Sequence, residues 1–260
     1  MSSKNQFLLL LLFMPVFLWS KDIVSIPEPS VAKSEKEALL ILVGFGSKTH
    51  NVKHIAAYFS NKGYDLYQPD YIRRKGIAKG VEKLDAFITE HDLKAYGKVH
   101  VFCYLVGGWT FNSWLSANEL PNLSTIIYDR SPLQERAPFA LMEDMPFLIT
   151  LAVGKIMGEF AETPYKAINL RAVKIGLLIE DRPTKLIMKH RKSAAKLGPV
   201  DWDPQSLQQE ADDYCFVPLN HDDFYEAFGI IGPSIFEFIR DGKFAATANR
   251  KQPLTDPFIP

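Results

Sequence analysis

From residue 38 onward, short apolar runs alternate with segments whose apolar positions recur every three or four residues. Ala38–Val43 is a leucine-rich run closed by Gly44 and Gly46, which reads as a buried strand ending in a tight turn. Lys53–Lys62 carries Ile55, Ala56, Tyr58 and Phe59 and is followed by Gly63, the pattern of a helix with a glycine C-cap. Tyr64–Gln68 is the next strand, stopped by Pro69, and Ile77–His91 places Ile77, Val81, Leu84, Phe87 and Ile88 on one helical face. Lys98–Leu105 follows as an apolar strand, then Gly107-Gly108, then a helix from about Trp109 to Ser116. Ser124–Tyr128, Lys174–Ile179 and Tyr214–Leu219 are further strands, and the last helix covers Ile230–Asp241 with Pro233 in its first turn. Such alternation predicts an α/β fold: a mostly parallel sheet of about six to eight strands, with helices on both faces.

Two stretches break the rhythm. Between Pro132 and Ala172, two helix-like apolar segments, Phe139–Met145 and Phe147–Phe160, predict an insertion over the carboxyl edge of the sheet, at about 133–172, where a lid would sit. At the other end, Lys4 precedes an unbroken apolar run from Phe7 to Trp19, and polar Ser20-Lys21-Asp22 follows. The run is shorter than the ~20 residues of a spanning helix. Its charge, core length and polar exit are those of a secretory signal peptide, so an exported protein is expected. Leu18 and Ser20 are not the small-x-small pair favoured for cleavage, which leaves an uncleaved N-terminal membrane anchor as the alternative. Residues 21–36, rich in Pro, Ser, Lys and Glu, read as a linker to a domain spanning 37–260.

Composition narrows the function classes. The 260 residues are 47% hydrophobic and 12% aromatic, enough for one α/β domain with a sizeable core. Thirty basic and thirty acidic residues cancel, and no nucleic-acid tract is indicated. Cys103 and Cys215 lie in apolar segments and read as small buried hydrophobes rather than a disulfide. His50 and His54 could share a helical face but lack a third ligand, so neither a metal nor a cofactor is expected.

In an open α/β sheet the ligand site lies beyond the carboxyl ends of the strands. Four such ends carry polar or glycine-rich groups: Gly44-Phe45-Gly46-Ser47, Cys103-Tyr104-Leu105-Val106-Gly107-Gly108, Glu180-Asp181 and Asn220-His221-Asp222-Asp223. Glycine turn, elbow, acid and histidine follow one another in the chain order of α/β-hydrolases. The stretch LILVGFGSKTHNVKHIAAYFSNKGYDLYQPDY, and then KVHVFCYLVGGWTFNSWL, resembles the first half of bacterial serine esterases and lipases with small lids. Beyond residue 130 the likeness rests on strand order and the PLNHDDFYE segment.

The resemblance implies roles for particular positions. Phe45 or Gly46 would supply an oxyanion-hole amide, together with Val106 after the nucleophile position. His221 would match the base, and Asp181 the acid, with Glu180 competing for that place and Asp212 and Asp213 as weaker alternatives. The family's Gly-x-Ser-x-Gly elbow puts its serine on Leu105 and its first glycine on Cys103. Leucine has no lone pair and nothing to deprotonate, so it cannot form an acyl-enzyme. The elbow's strained backbone would also burden a leucine there. Cys103 and Ser131 are the alternative nucleophiles, while Asp129–Arg130 either orients a ligand or stabilises a turn.

The expectation is therefore a non-catalytic homologue that binds a small acyl or ester-like ligand or a protein partner, with possible membrane association through its N-terminus. An active carboxylic-ester hydrolase using another nucleophile or activated water is the alternative. A structural protein whose insertion covers the cleft is the third reading. If His221 and Asp181 are placed as expected, Leu105→Ser should gain esterase activity.

Overall fold

A computed structural model describes residues 22–44, 49–129, 136–162, 165–199, 202–204, 209–224 and 226–252. Its strands are β1 (Ile23–Ser25), β2 (Glu37–Leu42), β3 (Tyr64–Gln68), β4 (Lys98–Cys103), β5 (Leu123–Asp129), β6 (Lys174–Glu180) and β7 (Asp213–Val217). They form one seven-stranded sheet in the order β1-β3-β2-β4-β5-β6-β7. All neighbours pair parallel except β1, which runs antiparallel along β3. The parallel-dominated sheet expected from the sequence is present, with the elbow strand β4 at its centre.

The helices are α1 (Thr49–Phe59), α2 (Ile77–Glu90), α3 (Leu105–Leu115), α4 (Ala137–Asp144), α5 (Pro146–Val153), α6 (Ile156–Glu162), α7 (Lys185–Lys189), α8 (Arg191–Ala195), α9 (His221–Phe224) and α10 (Phe228–Asp241). Alternation along the strands divides the core in two. Leu40 and Leu42 of β2 and Val101 and Cys103 of β4 pack with Leu84 and Phe87 of α2 and Phe111 and Trp114 of α3. Leu39, Ile41 and Phe102 turn to the other face, against Phe59 of α1 and Ile235 and Phe238 of α10. A parallel sheet covered on both faces needs apolar side chains in both directions, which is why its strands read as continuous apolar runs.

Several boundaries differ from expectation, each for a local reason. Residues 23–25, read as linker, add an edge strand to β3. Helix α3 begins at Leu105, so Gly107 and Gly108 lie in its first turns rather than before it. A Cβ on Gly107 would meet the Leu42 carbonyl oxygen at 2.5 Å, and one on Gly108 would meet the Tyr128 ring at 2.9 Å. The glycine pair lets α3 press onto β2 and β5, a packing need that persists whatever residue occupies position 105. Gly107→Ala is accordingly expected to cost about 1–3 kcal/mol through overpacking, read as a lower urea midpoint. The long apolar segment 147–160 is split at Gly154, whose φ of +79° and contact with the Arg74 backbone exclude a side chain. In α10, Pro233 falls inside the helix rather than in its first turn, because the helix starts at Phe228.

Helices α4–α6, which fall between β5 and β6 in the chain, make a cap bolted to α2 and α3. Glu159 of α6 accepts from the Ile77 amide at 2.6 Å, satisfying the start of α2. Arg74 donates to the Leu151 carbonyl at 2.5 Å, and the Lys155 amide to the Arg74 carbonyl at 2.9 Å. Where the cap returns, buried Asn112 of α3 donates to the Tyr165 hydroxyl and the Lys166 carbonyl and accepts from Tyr128 at 2.7 Å.

Residues 1–20, Phe45, Gly46, Arg130 and Ser131 lie outside the described residues. Among the described residues, no helix is long and apolar enough to cross a membrane.

Candidate functional site

The candidate site forms where β5 and β6 end and the chain turns after β7. Asp129 closes β5 and Glu180 closes β6, and both are buried. Asp129 stands beside Leu178 in the parallel pair, so Glu180, two residues on, projects from the same side of the sheet. His221 opens α9, whose turn is held by a reciprocal cap: Asn220 accepts from the Asp223 amide at 3.0 Å and donates to the Asp223 carboxylate at 2.6 Å. The Asp181 and Arg182 amides donate to the Val217 and Leu219 carbonyls, clamping the end of β6 to the strand exit that carries His221.

The result is a histidine between two buried acids. His221 Nδ1 lies 3.2 Å from Asp129 Oδ2 and 3.6 Å from Glu180 Oε1. Burial works against charging the imidazole, but the hydrogen bonds and charges of Asp129 and Glu180 prevail and raise its pKa well above the ordinary value. Burial, reinforced by the charge of Asp129, raises the Glu180 carboxyl well above the usual range against the pull of His221. The ring of Tyr104 meets His221 edge-on at 6.1 Å, and Phe224 packs against Tyr104 at 5.4 Å. Among the described residues, Asp129, Glu180 and His221 are also the group whose donor atoms, all within 4.8 Å of one another, could hold a metal ion. Two carboxylates and an imidazole are a hard, oxygen-rich donor set.

Other expected site residues are arranged differently. The acids brought to His221 are Glu180 and Asp129, not Asp181. One step along a strand reverses the side chain, and Asp181 continues past β6 into a partly exposed turn beside Arg182. Asp212 and Asp213 serve elsewhere: Asp212 pairs with Lys174, and Asp213 with Arg250.

Leu105 is 5% exposed and packs with Leu42 and Trp109 on the α2–α3 side, whereas Tyr104 and Phe224 pack on the α1–α10 side. Its backbone is unstrained, contrary to expectation: among the described residues only Asp92 and Arg136 are non-glycines with positive φ. The chain passes from extended Tyr104 directly into α3. Val106 is buried in the first turn of α3. Cys103 is fully buried and desolvation raises its pKa well above the ordinary thiol value, the opposite of a reactive thiolate. His54 is exposed on α1.

Asp129, which its sequence context marks as a ligand-orienting or turn residue, is a partner of the histidine. The available signal was an ionisable residue ending an apolar strand, the same signal that marked Glu180.

No protein-family model matches the chain, and no curated protein matches it in sequence. Solved structures do resemble it. A Bacillus licheniformis lipase in its mature form superposes with a TM-score of 0.54 at 14% identity, covering 84% of this chain and 97% of that one. A hypothetical protein from Pseudomonas aeruginosa gives 0.52 at 10% identity, over 88% and 95% of the two chains. Est1E from Butyrivibrio proteoclasticus gives 0.51 at 10% identity, over 85% and 93%. At these identities the likeness concerns architecture, and together with the sheet order it establishes that this chain has the α/β-hydrolase fold.

Proposed function

We propose that this protein uses an esterase- and lipase-like α/β-hydrolase fold as a binding scaffold and does not carry out acyl-enzyme chemistry. The observation that carries the reading is position 105. A buried leucine in an ordinary helical start replaces both the attacking hydroxyl and the strained turn that would present it. The ligand class that suits the fold is a small acyl or ester-like molecule, with a protein partner as the alternative occupant.

The test is direct. Unmodified protein should take up no fluorophosphonate label and should hydrolyse short p-nitrophenyl esters no faster than heat-killed protein, with no burst. Leu105→Ser is now expected to stay inert, because its backbone lacks the elbow and its side chain packs on the α2–α3 side of the sheet. Ester turnover abolished by Cys103→Ala or Ser131→Ala would overturn the reading and name the nucleophile.

One second reading has His221 activate water, which it can do only as the neutral imidazole that Asp129 and Glu180 disfavour. Its signature would be slow turnover with no burst and no sensitivity to fluorophosphonate.

A further inference from the structure

The cap carries a surface that neither the fold nor the histidine cluster explains. Helix α5 reads Pro-Phe-Leu-Ile-Thr-Leu-Ala-Val, and none of its residues is buried. Phe147 is 73% exposed and Leu151, one turn on, 54% exposed, with Thr150 beside them on the same face. A helix this apolar with no buried residue has an unpartnered face.

What borders that helix says what would cover it. A groove of 1170 Å³ runs between α2 and the α5–α6 junction, and its walls include Thr150, Gly154 and six cations: Arg73, Arg74, Lys75, Lys79, Lys83 and Lys155. Two of the six are answered locally, Arg73 by Asp70 and Lys79 by Glu82. Lys75, Lys83 and Lys155 are exposed, with no acidic partner at ion-pair distance among the described residues. Of the other acids around the groove, Glu159 is engaged with the Ile77 amide and Asp85 with the Trp114 indole N–H. In a chain whose formal charge sums to zero, this is a local excess built into the groove.

A second basic edge lies across the cap. The segment 182–199 holds Arg182, Lys185, Lys189, Arg191, Lys192 and Lys196 and no acid, and it exposes Leu186, Met188 and Leu197. An ion pair from Lys196 to Glu143 and a hydrogen bond between His190 and Asp144 fasten it to α4, the helix that also packs on α5 and α6.

We propose that α5 and its basic groove dock the protein onto a phospholipid surface bearing anionic head groups. Phe147 and Leu151 would enter the boundary between head groups and acyl chains, while the cations of the groove meet lipid phosphates. A purely apolar partner would leave the groove's charge unanswered, and a nucleic acid would leave Phe147 and Leu151 without an apolar environment. The anchoring of Arg74 to Leu151, and of Lys155 to Arg74, holds apolar helix and basic groove in one fixed relation. This surface is built from residues between Arg73 and Lys155 and does not depend on the reading of position 105.

The experiment is vesicle co-sedimentation of the full chain, with phosphatidylcholine vesicles compared with vesicles containing about a third phosphatidylserine. Because residues 7–19 could add a constant background, the comparison is between variants of the same full-length protein. Wild type should partition about tenfold more strongly onto the anionic vesicles, with the preference lost at high salt. Lys75→Glu with Lys83→Glu should remove that preference, and Phe147→Asp with Leu151→Asp should weaken binding to both vesicle types. Lys53→Glu with Lys94→Glu, equal in charge change but placed elsewhere, should leave it intact. All four residues of the groove and α5 variants are exposed, so unchanged circular dichroism and melting would show that the fold survives. Equal binding by wild type, the Lys75/Lys83 variant and the Phe147/Leu151 variant overturns the proposal. So does loss of preference in the Lys53/Lys94 control, which would reduce the effect to net charge. A concentration-dependent dimer abolished by Phe147→Asp, without vesicle binding, would replace it with a second copy of the chain.

Discussion

His221→Leu should lower folding stability by about 3–5 kcal/mol at pH 7, because it leaves two buried carboxyl groups without the cation between them. The expectation rests on geometry: Asp129 and Glu180 are fully enclosed, and the imidazole nitrogen lies 3.2 and 3.6 Å from them. Neither acid can turn to solvent, since each is fixed in the final residue of an interior strand. Urea unfolding followed by tryptophan fluorescence measures the loss. Replacing all three residues by apolar side chains of similar volume should recover most of it, because an intact apolar core does as well as a satisfied ionic one. A single-variant loss under about 1 kcal/mol would mean that water reaches the cluster and screens it.

Acid and base should act on this cluster in an unusual sense. Glu180 and His221 are both raised from their ordinary values of 4.5 and 6.5, so the folded protein keeps protons that the unfolded chain has already released. Each group's contribution is therefore complete below its unfolded value and declines as pH rises through the folded one. Glu180 begins to weaken the fold above pH 4.5 and His221 above pH 6.5. Each contributes a slope of up to about 1.4 kcal/mol per pH unit. Paired surface acids usually give the reverse trend. Glu180→Gln keeps the shape and neutrality of the protonated acid while removing its titration. The variant should show a flatter stability profile between pH 4.5 and 6.5 and a higher urea midpoint than wild type at pH 8. Parallel profiles for the two proteins would show that Glu180 ionises in place and is stabilised by other groups.

The sheet was legible from the chain because burial on both faces writes each strand as an apolar run, and turn residues mark where it stops. Lys98–Cys103 and Tyr64–Gln68 are cases in which pattern and structure agree closely. Short helices were harder. Lys185–Lys189 and Arg191–Ala195 are five residues each, too brief to display a helical period, and they went unread. At the site, His221 and the glycine pair could be placed from order along the chain. The choice between Glu180 and Asp181 could not, because one residue of register decides which side of the sheet a side chain takes. Asp129 was legible only as a residue that orients a ligand or holds a turn after a strand, since its partner lies far along the sequence. The unstrained backbone at Leu105 likewise follows from where α3 begins, a boundary that the glycine pair obscured.

The same dependence on register gives the buried trio a role in folding specificity. Its members come from β5, from β6 after the cap excursion, and from the turn beyond β7, so they meet only when the last three strands have all been laid down. A one-residue slip of β6 along β5 would leave its apolar runs nearly as well buried, because this sheet is apolar on both faces. That slip would carry Glu180 to the opposite side, among the apolar residues packed under α2 and α3, and separate His221 from one of its acids. Apolar pairing alone distinguishes such misalignments poorly. The three ionisable groups make the wrong alignments expensive, so the end of the sheet has one register in which every charge is answered.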